Sequence, residues 1–245
     1  MTRMHCQVIY STERTPWNPK DWRPFVIVSC AISLDGKLAS ACGETRLSSF
    51  DDKVEVHKLR SLVDAILVGI NTILHDNPHL TVSEKYYKSD RHPMRVVLDS
   101  TCKIPLDAEV ITRHPELKTI IATSKRASHE KINKLRELGV DVVVFGENEV
   151  DLKQLLMYLR KKYDVKVLMV EGGGLVIGSF FKMALVDYLR VSVSPVLFGD
   201  NAISMVRGTV FCSVEDSPKL KLEAVELCGS NIVLNFSVIY NSLVS

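Results

Sequence analysis

From Thr119 onward the chain repeats one pattern, and that pattern restricts its fold more than any other feature does. Apolar, strand-like runs at 119–122, 140–145 and 167–170 alternate with helix-period segments at 129–138 and 151–163. Strands joined in this way by helices form parallel crossover units, with the helices laid on both faces of the sheet. Near-continuous apolar runs at 25–32 (FVIVSCAI), 65–68 and 95–98 extend the same sheet as strands buried on both sides. Between them, Val54, Val56, Leu59 and Leu62 recur at helical spacing over 51–63, with Ser49 or Asp51 as the cap. A brief helical turn over 71–74 stops at Asp76-Asn77-Pro78. Beyond a helix over 175–185 the pattern changes. Strands at 188–193, 220–227 and 232–239 follow without an intervening helix, and Gly229-Ser230-Asn231 turns between the last two. The expected fold is α/β: a mostly parallel sheet flanked by helices, with an antiparallel C-terminal hairpin. Residues 1–23, with Trp17 and Trp22 among prolines and polar residues, read as an irregular extension whose tryptophans lie against the domain surface. Residues 24–245 read as a single domain.

Ligands of such sheets bind outside the carboxyl ends of the strands. The most telling strand end is VLMVEGGGLVIGSFF (167–181), where a strand closes in three glycines and a helix opens. Glycine lets the backbone come close to a ligand, and the first N–H groups of the helix favour an anion, above all a phosphate. The alternative is a tight turn with no ligand, and the spacing departs from G-x-G-x-x-G. Glu171 does not belong beside a phosphate, so it must face something else. Asp35-Gly36-Lys37, residues 69–72 with Asp76, Asp99-Ser100 and Thr123-Ser124 fall at other strand ends. They are expected to converge with Glu171 and the glycines into one polar crevice, although turn residues are polar in any case. Lys37 is either a cation beside a carbonyl or phosphate, or a solvated turn lysine. Asp35 is read as satisfying backbone N–H groups. Arg60 closes a helix whose C-terminal end favours a cation regardless of function. Ser124-Lys125-Arg126 is a candidate for reading a ribose 2′-phosphate, or an ordinary exposed basic stretch.

Composition removes several classes of function. In the 245 residues, a net charge of +2 from balanced acids and bases leaves no footprint for nucleic acid. No apolar run is long enough to span a membrane. The six cysteines are scattered without a C-x-x-C pair, so neither a zinc site nor a disulfide framework is expected. The chain reads as cytoplasmic with reduced thiols and no metal. No serine or cysteine sits in a nucleophile elbow, and His57, His75 and His92 form no triad pattern.

SLDGKLAS (33–40), DAILVGINTILHDNPHLTV (64–82), MRVVLDS (94–100), MVEGGGLVIGSFF (169–181) and LVDYLRVSVSPVLFG (185–199) occur in that order. Together they resemble the reductase of riboflavin biosynthesis over residues 24–240. The resemblance implies a dihydrofolate-reductase-like fold and NADPH-dependent reduction of a ribosylamino-pyrimidine 5′-phosphate to its ribitylamino form, with NADH as the alternative cofactor. Carried over by position, it implies cofactor contacts at Thr72, Asp76, Ser100, Gly172, Gly173, Gly174, Leu175, Val176, Ile177 and Gly178. It implies pyrimidine-nucleotide contacts at Thr45, Arg60, Leu80 and Glu171, with Lys37 near the ribose and Lys37 and Glu171 as the catalytic groups. The anion of the glycine turn would then be the cofactor pyrophosphate, leaving Glu171 to the substrate.

The chain departs from the family in two places. Val82-Ser83-Glu84 stands where members joined to a deaminase can carry a basic residue. Asp187-Tyr188 replaces the usual acidic pair, a change expected to alter surface packing only. No H-x-E with P-C-x-x-C is present. A freestanding reductase acting before deamination is therefore expected, with 2,5-diamino-6-ribosylamino-4(3H)-pyrimidinone 5′-phosphate as substrate. The family implies a homodimer, for which 185–197 is either an interface strand or plain core. Two other readings remain: a related reductase of another pteridine or pyrimidine, and a nucleotide-binding regulator without turnover.

Overall fold

The computed structural model describes residues 6–12 and 15–240. Residues 1–5, 13–14 and 241–245, parts of the expected extension and of the expected domain, lie outside them. The elements run β1 (Cys6–Ser11), β2 (Phe25–Ser33), β3 (Lys37–Ala39), α1 (Phe50–Leu62), β4 (Ala65–Gly69), α2 (Ile70–Asp76), β5 (Met94–Leu98), α3 (Glu109–Thr112) and β6 (Thr119–Thr123). Then come α4 (His129–Glu137), β7 (Asp141–Val144), α5 (Leu152–Tyr163), β8 (Val167–Gly172), α6 (Gly174–Lys182), β9 (Tyr188–Ser194), β10 (Ile203–Ser204), β11 (Lys219–Cys228) and β12 (Asn231–Ile239). All strands except β3 and β10 join one sheet in the order β1-β11-β12-β9-β2-β8-β4-β5-β6-β7. Strands β9 through β7 in that order are parallel, while β12, β11 and β1 add antiparallel pairings at one edge. This is the expected mostly parallel sheet with its antiparallel hairpin.

The central strands are apolar throughout because both of their faces are covered. On one face Ile27, Ile66, Val97 and Met169 pack under α1, α2, α3 and α4, which contribute Leu59, Ile73, Val110 and Leu135. On the other, Val28, Leu67, Leu168 and Val170 pack under α5 and α6 through Leu155, Leu159, Ile177 and Phe180. Each side chain so buried contributes about 1.5–3 kcal/mol. The helices start where the sequence supplies a cap: the Ser49 hydroxyl accepts from Asp52 N–H and the Asp151 carboxylate from Gln154 N–H. The α6 helix ends earlier than its apolar run, at Lys182, before Ala184 in the left-handed region at φ 53°.

Three expectations are corrected. The N-terminal extension is not irregular throughout, since Cys6–Ser11 forms β1 and pairs with β11. Its cysteine is not a reduced thiol: Cys6 and Cys228 form a disulfide across a separation of 222 residues. Among the described residues Cys6, Glu226 and Cys228 are the one grouping close enough to share an ion, and the disulfide occupies both sulfurs. Of the two readings left open for 185–197, the interior position of β9 between β2 and β12 makes 188–194 part of the core. Tyr188 is buried with its ring edge-on to Trp17 at 6.5 Å, which makes its replacement of an acidic residue a core change. Asp187 meanwhile receives a two-pronged contact from buried Arg23 at 2.5 and 2.9 Å. No described helix is long and apolar enough to cross a membrane.

Candidate functional site

Strand β8 divides two cavities at the carboxyl end of the parallel strands. Glu171, on the same side of the strand as Met169, lines the smaller cavity, of about 150 Å³. The glycines that follow line the larger, of about 630 Å³.

The larger cavity is built mainly from backbone. Gly172 takes φ 126°, and its peptide bond to Gly173 is cis. Gly173 then caps α6 without any side-chain hydrogen bond, so the first N–H groups of the helix have no internal partner. A methyl group on Gly173 would meet nothing within 4 Å, whereas one on Gly174 would strike the Ser204 carbonyl at 2.5 Å and one on Gly178 the Arg207 carbonyl at 1.9 Å. The glycines thus divide the work. Gly173 leaves open space, and Gly174 and Gly178 let the 203–208 segment close over the helix, where Arg207 N–H donates to the Gly174 carbonyl. Opposite stand Gly69, Asn71 and Ser100, and the walls carry Lys103, Arg126, Lys182 and Arg207. Exposed donors, unfilled space and surrounding cations fit the diphosphate of a dinucleotide.

The smaller cavity is built from side chains. Arg60, in the last turn of α1, grips Glu171 with two charge-assisted bonds, Nε to Oε1 at 2.7 Å and Nη2 to Oε2 at 2.6 Å. Its third nitrogen donates to the Thr81 carbonyl at 2.9 Å. Both side chains keep limited access to solvent, 16% and 13%. One helical turn earlier, His57 stacks on Tyr86 and accepts the Ser83 N–H at Nδ1, 3.0 Å. Burial, with Arg60 next in importance, pushes the His57 pKa down to about 4, so the ring is neutral at ordinary pH.

The expected crevice of five converging strand ends is therefore two separate cavities, and the expected residues divide unevenly between them. Ser100, Gly173, Gly174, Leu175 and Val176 line the larger cavity. Gly172 is buried in the turn just before it, and Ile177 and Gly178 are turned into the core and against Arg207. On α2 the lining residues are Asn71 and His75, and Thr72 and Asp76 fall outside the lining. Arg60 and Glu171 meet as described. Leu80 is a core side chain, 2% exposed and in the left-handed region at φ 54°, so only its backbone is left for a ligand. Thr45 is exposed and lines neither cavity. Lys37 also lines neither; its Nζ lies 3.3 Å from the Ser204 hydroxyl. Asp35 accepts from the Ser33 hydroxyl and from the N–H groups of Phe198 and Gly199, contacts that hold its carboxyl down to about 2. It is a structural residue, as read from the sequence. Ser124 is fully buried and donates to the Ser100 and Asn148 carbonyls, and Lys125 pairs with Glu147, which leaves Arg126 as the member of that stretch on the cavity wall.

Sequence reasoning missed Asp52 and Arg190, a buried ion pair at 2.6 Å beneath the smaller cavity. A signal was present. Arg190 is a lone cation in the apolar strand YLRVSVS, and a charge buried in a sheet needs a partner.

The family model described as the RibD C-terminal domain matches residues 24–234. The 2,5-diamino-6-ribosylamino-4(3H)-pyrimidinone 5′-phosphate reductase of Aquifex aeolicus is 35% identical over 223 residues, covering 89% of this chain and 97% of that protein. The reductase of the same name from Archaeoglobus fulgidus is 37% identical over 221 residues, covering 86% and 97%. Among solved structures, Acinetobacter baumannii RibD superposes with a TM-score of 0.76 at 26% identity, covering 89% of this chain. The chain spans 59% of the length of that RibD structure, whose reductase domain shares this dihydrofolate-reductase-like arrangement.

Proposed function

The chain belongs to the RibD C-terminal domain family, and from that membership we propose that it reduces 2,5-diamino-6-ribosylamino-4(3H)-pyrimidinone 5′-phosphate to the ribitylamino form, with NADPH as reductant. The observation that carries this reading is the pair of cavities on either side of β8, a dinucleotide-sized one floored by a glycine turn and a small polar one holding Glu171. The N–H groups following Gly173 would hold the cofactor pyrophosphate. Ser100 would face the adenosine side, and Arg126 would favour a 2′-phosphate and hence NADPH over NADH. When bound, the reduced nicotinamide supplies a hydride.

The residues of the chain handle the substrate. Ring opening would break the C1′–O4′ bond of the ribosylamine and move the proton of its exocyclic N–H to O4′, leaving a neutral imine at C1′. Hydride then adds to C1′ and a proton to the nitrogen. Glu171, gripped by Arg60, is placed to hold the base and to assist proton transfer to that nitrogen. Lys37, whose Nζ lies beside the Ser204 hydroxyl, would reach the ribose as a cation during ring opening. Arg60 holds Glu171 in position and meets the nucleotide. Two chains are proposed to pair, and the exposed Val8, Ile9, Leu220, Leu227 and Ile232 at the antiparallel edge supply an apolar surface for it.

The test is the fall in NADPH absorbance with the ribosylamino substrate. Turnover is expected with it and not with dihydrofolate. Oxidation only with dihydrofolate, or cofactor binding without oxidation, would replace this reading with one of the two alternatives.

A further inference from the structure

The lysine assigned to the ribose starts a strand of three residues, β3, which pairs with the two residues of β10 in a small sheet of its own. The register slips by one residue within that pairing. Ile203 stands opposite Ala39, but Ser204 stands opposite Lys37 and not opposite Leu38. Directly opposed residues of an antiparallel pair point to the same face, whereas successive residues alternate. The slip therefore turns Lys37 to the side of Ser204, as bulges beside active sites commonly re-aim a side chain. There Lys37 Nζ donates to the Ser204 hydroxyl at 3.3 Å.

Ser204 is held on both sides. Its carbonyl lies so close to α6 that a methyl on Gly174 would come within 2.5 Å of it. Just beyond it, Met205 N–H donates to the Gly36 carbonyl and Arg207 N–H to the Gly174 carbonyl, each at 3.1 Å. One bond reaches the turn of Lys37 and the other reaches the glycine turn. Ile203, Arg207 and Gly208 line the larger cavity, so the segment that carries Ser204 is also a wall of that cavity. The backbone of Lys37 is fixed as well, since its N–H donates to the Ser33 hydroxyl at 3.0 Å. Its stem is a different matter. A lysine carries a compact charge at the end of a flexible four-carbon chain, so fixing the backbone does not place the ammonium.

We infer that Ser204 is a positioning residue, whose hydroxyl accepts from the Lys37 ammonium and sets that charge in one place relative to the cofactor cavity. The inference rests on the function proposed above and on Lys37 acting at the ribose. A hydroxyl suits the task better than a carboxylate. Arg60 is held by the charge of Glu171, and each group of that pair offsets the other. A neutral acceptor holds the ammonium without offsetting it, so its charge stays available to the ribose oxygen as the ring opens. The ammonium has three N–H donors, and a bond to Ser204 occupies one of them.

The experiment measures kcat, the KM for each substrate and Tm for Ser204→Ala, Ser204→Thr, Lys37→Met and the double variant Lys37→Met/Ser204→Ala. Ser204→Ala should lower kcat roughly 10-fold, the order of loss expected when a reacting group is less well placed, with Tm and the KM for NADPH unchanged. Ser204→Thr keeps the hydroxyl on a residue that favours strands and should restore kcat to within roughly threefold. Lys37→Met should cost roughly 100-fold. Adding Ser204→Ala to it should cost nothing more, because the serine then has no ammonium to place; a serine with a merely structural role would cost the same in both backgrounds. If Ser204→Ala fails to fold, Ser204→Val against Ser204→Thr makes the same comparison at nearly equal shape. A folded Ser204→Ala that turns over as fast as the wild type, or a loss that persists undiminished beside Lys37→Met, overturns the inference and leaves the reductase reading standing. An unimpaired Lys37→Met does the same. A wild type that oxidises no NADPH with the ribosylamino substrate removes both.

Discussion

The glycine turn and the polar cavity stand on one strand, yet they are made of different materials. Beyond Gly172 the site is backbone: bare N–H groups, missing side chains and a neighbouring loop brought into contact because nothing intervenes. Before it, at Glu171, the site is a set of long side chains from α1, β8 and β9 held by charge. The first kind of site depends on space, so added atoms damage it. The second depends on partners, so it is damaged by taking them away. Substitutions that separate these two kinds of damage test the comparison directly.

The largest effect is expected at Gly178. Its methyl would sit 1.9 Å from the Arg207 carbonyl, a backbone atom that cannot swing aside, so Gly178→Ala must push the 203–208 segment off α6. A loss of about 3 kcal/mol in stability is expected, read as a lowered Tm together with weakened NADPH binding. An unchanged Tm would mean that the loop does not close over the helix in solution.

Next comes the side-chain region. Glu171→Gln keeps the shape of the residue but removes the charge held by Arg60, and activity should fall roughly 100-fold. Arg60→Ala should raise the substrate KM while leaving NADPH affinity intact, because the two cavities lie on opposite sides of β8. If Arg60→Ala instead weakens only the cofactor, the division into two regions is wrong.

A smaller effect sharpens the contrast with Gly178. At Gly173 the backbone has φ −77° and an added methyl would meet no protein atom. Gly173→Ala should therefore leave Tm nearly unchanged and weaken NADPH binding by roughly tenfold, because the methyl occupies the space a pyrophosphate needs. Isothermal titration with NADPH is the check, and equal affinity would detach the glycine turn from the cofactor.

The same difference in materials explains what could be read from the sequence. The glycine turn was legible because its parts are contiguous, and the parallel sheet because its strands and helices are regular and punctuated. Arg60 and Glu171 were each marked out, but nothing in the order of residues shows that they join across 111 positions. Asp52 hid as an ordinary acidic residue in a first helical turn. Strand β1 was unreadable for a different reason. After Cys6 its side chains are all exposed, so it lacks the alternation that marks a half-buried strand, and its place is fixed by pairing with β11 and by a cysteine 222 residues away. Strands β3 and β10, at three and two residues, are too short to carry a pattern.

The smallest expected effect is a pH dependence that belongs to the side-chain region. His57 titrates near 6.5 when unfolded and near 4 in the fold. Above 6.5 the ring is neutral in both states and its contribution is fully present. As pH falls from 6.5 toward 4, the unfolded chain takes up a proton that the folded chain refuses, so stability is lost across that window. Full linkage for a shift of this size would be about 3 kcal/mol. The protonated ring can no longer accept the Ser83 N–H, however, and local opening of 81–83 admits the proton without global unfolding, so about 1 kcal/mol should be seen in denaturant melts. The carboxylates of Asp35 and Glu44 are held down near 2, from 3.8 and 4.5 when unfolded, so they add to the slope only at the acid end of this window, below about 5. His57→Gln keeps an acceptor for Ser83 but cannot be protonated, so it should flatten the stability profile between pH 6.5 and about 5, above the range in which the carboxylates contribute. Arg60 ties the Thr81 carbonyl to Glu171, so opening of 81–83 should also raise the substrate KM in acid for the wild type and not for His57→Gln. A slope that survives the substitution would assign the titration to another group and remove His57 from the support of Arg60.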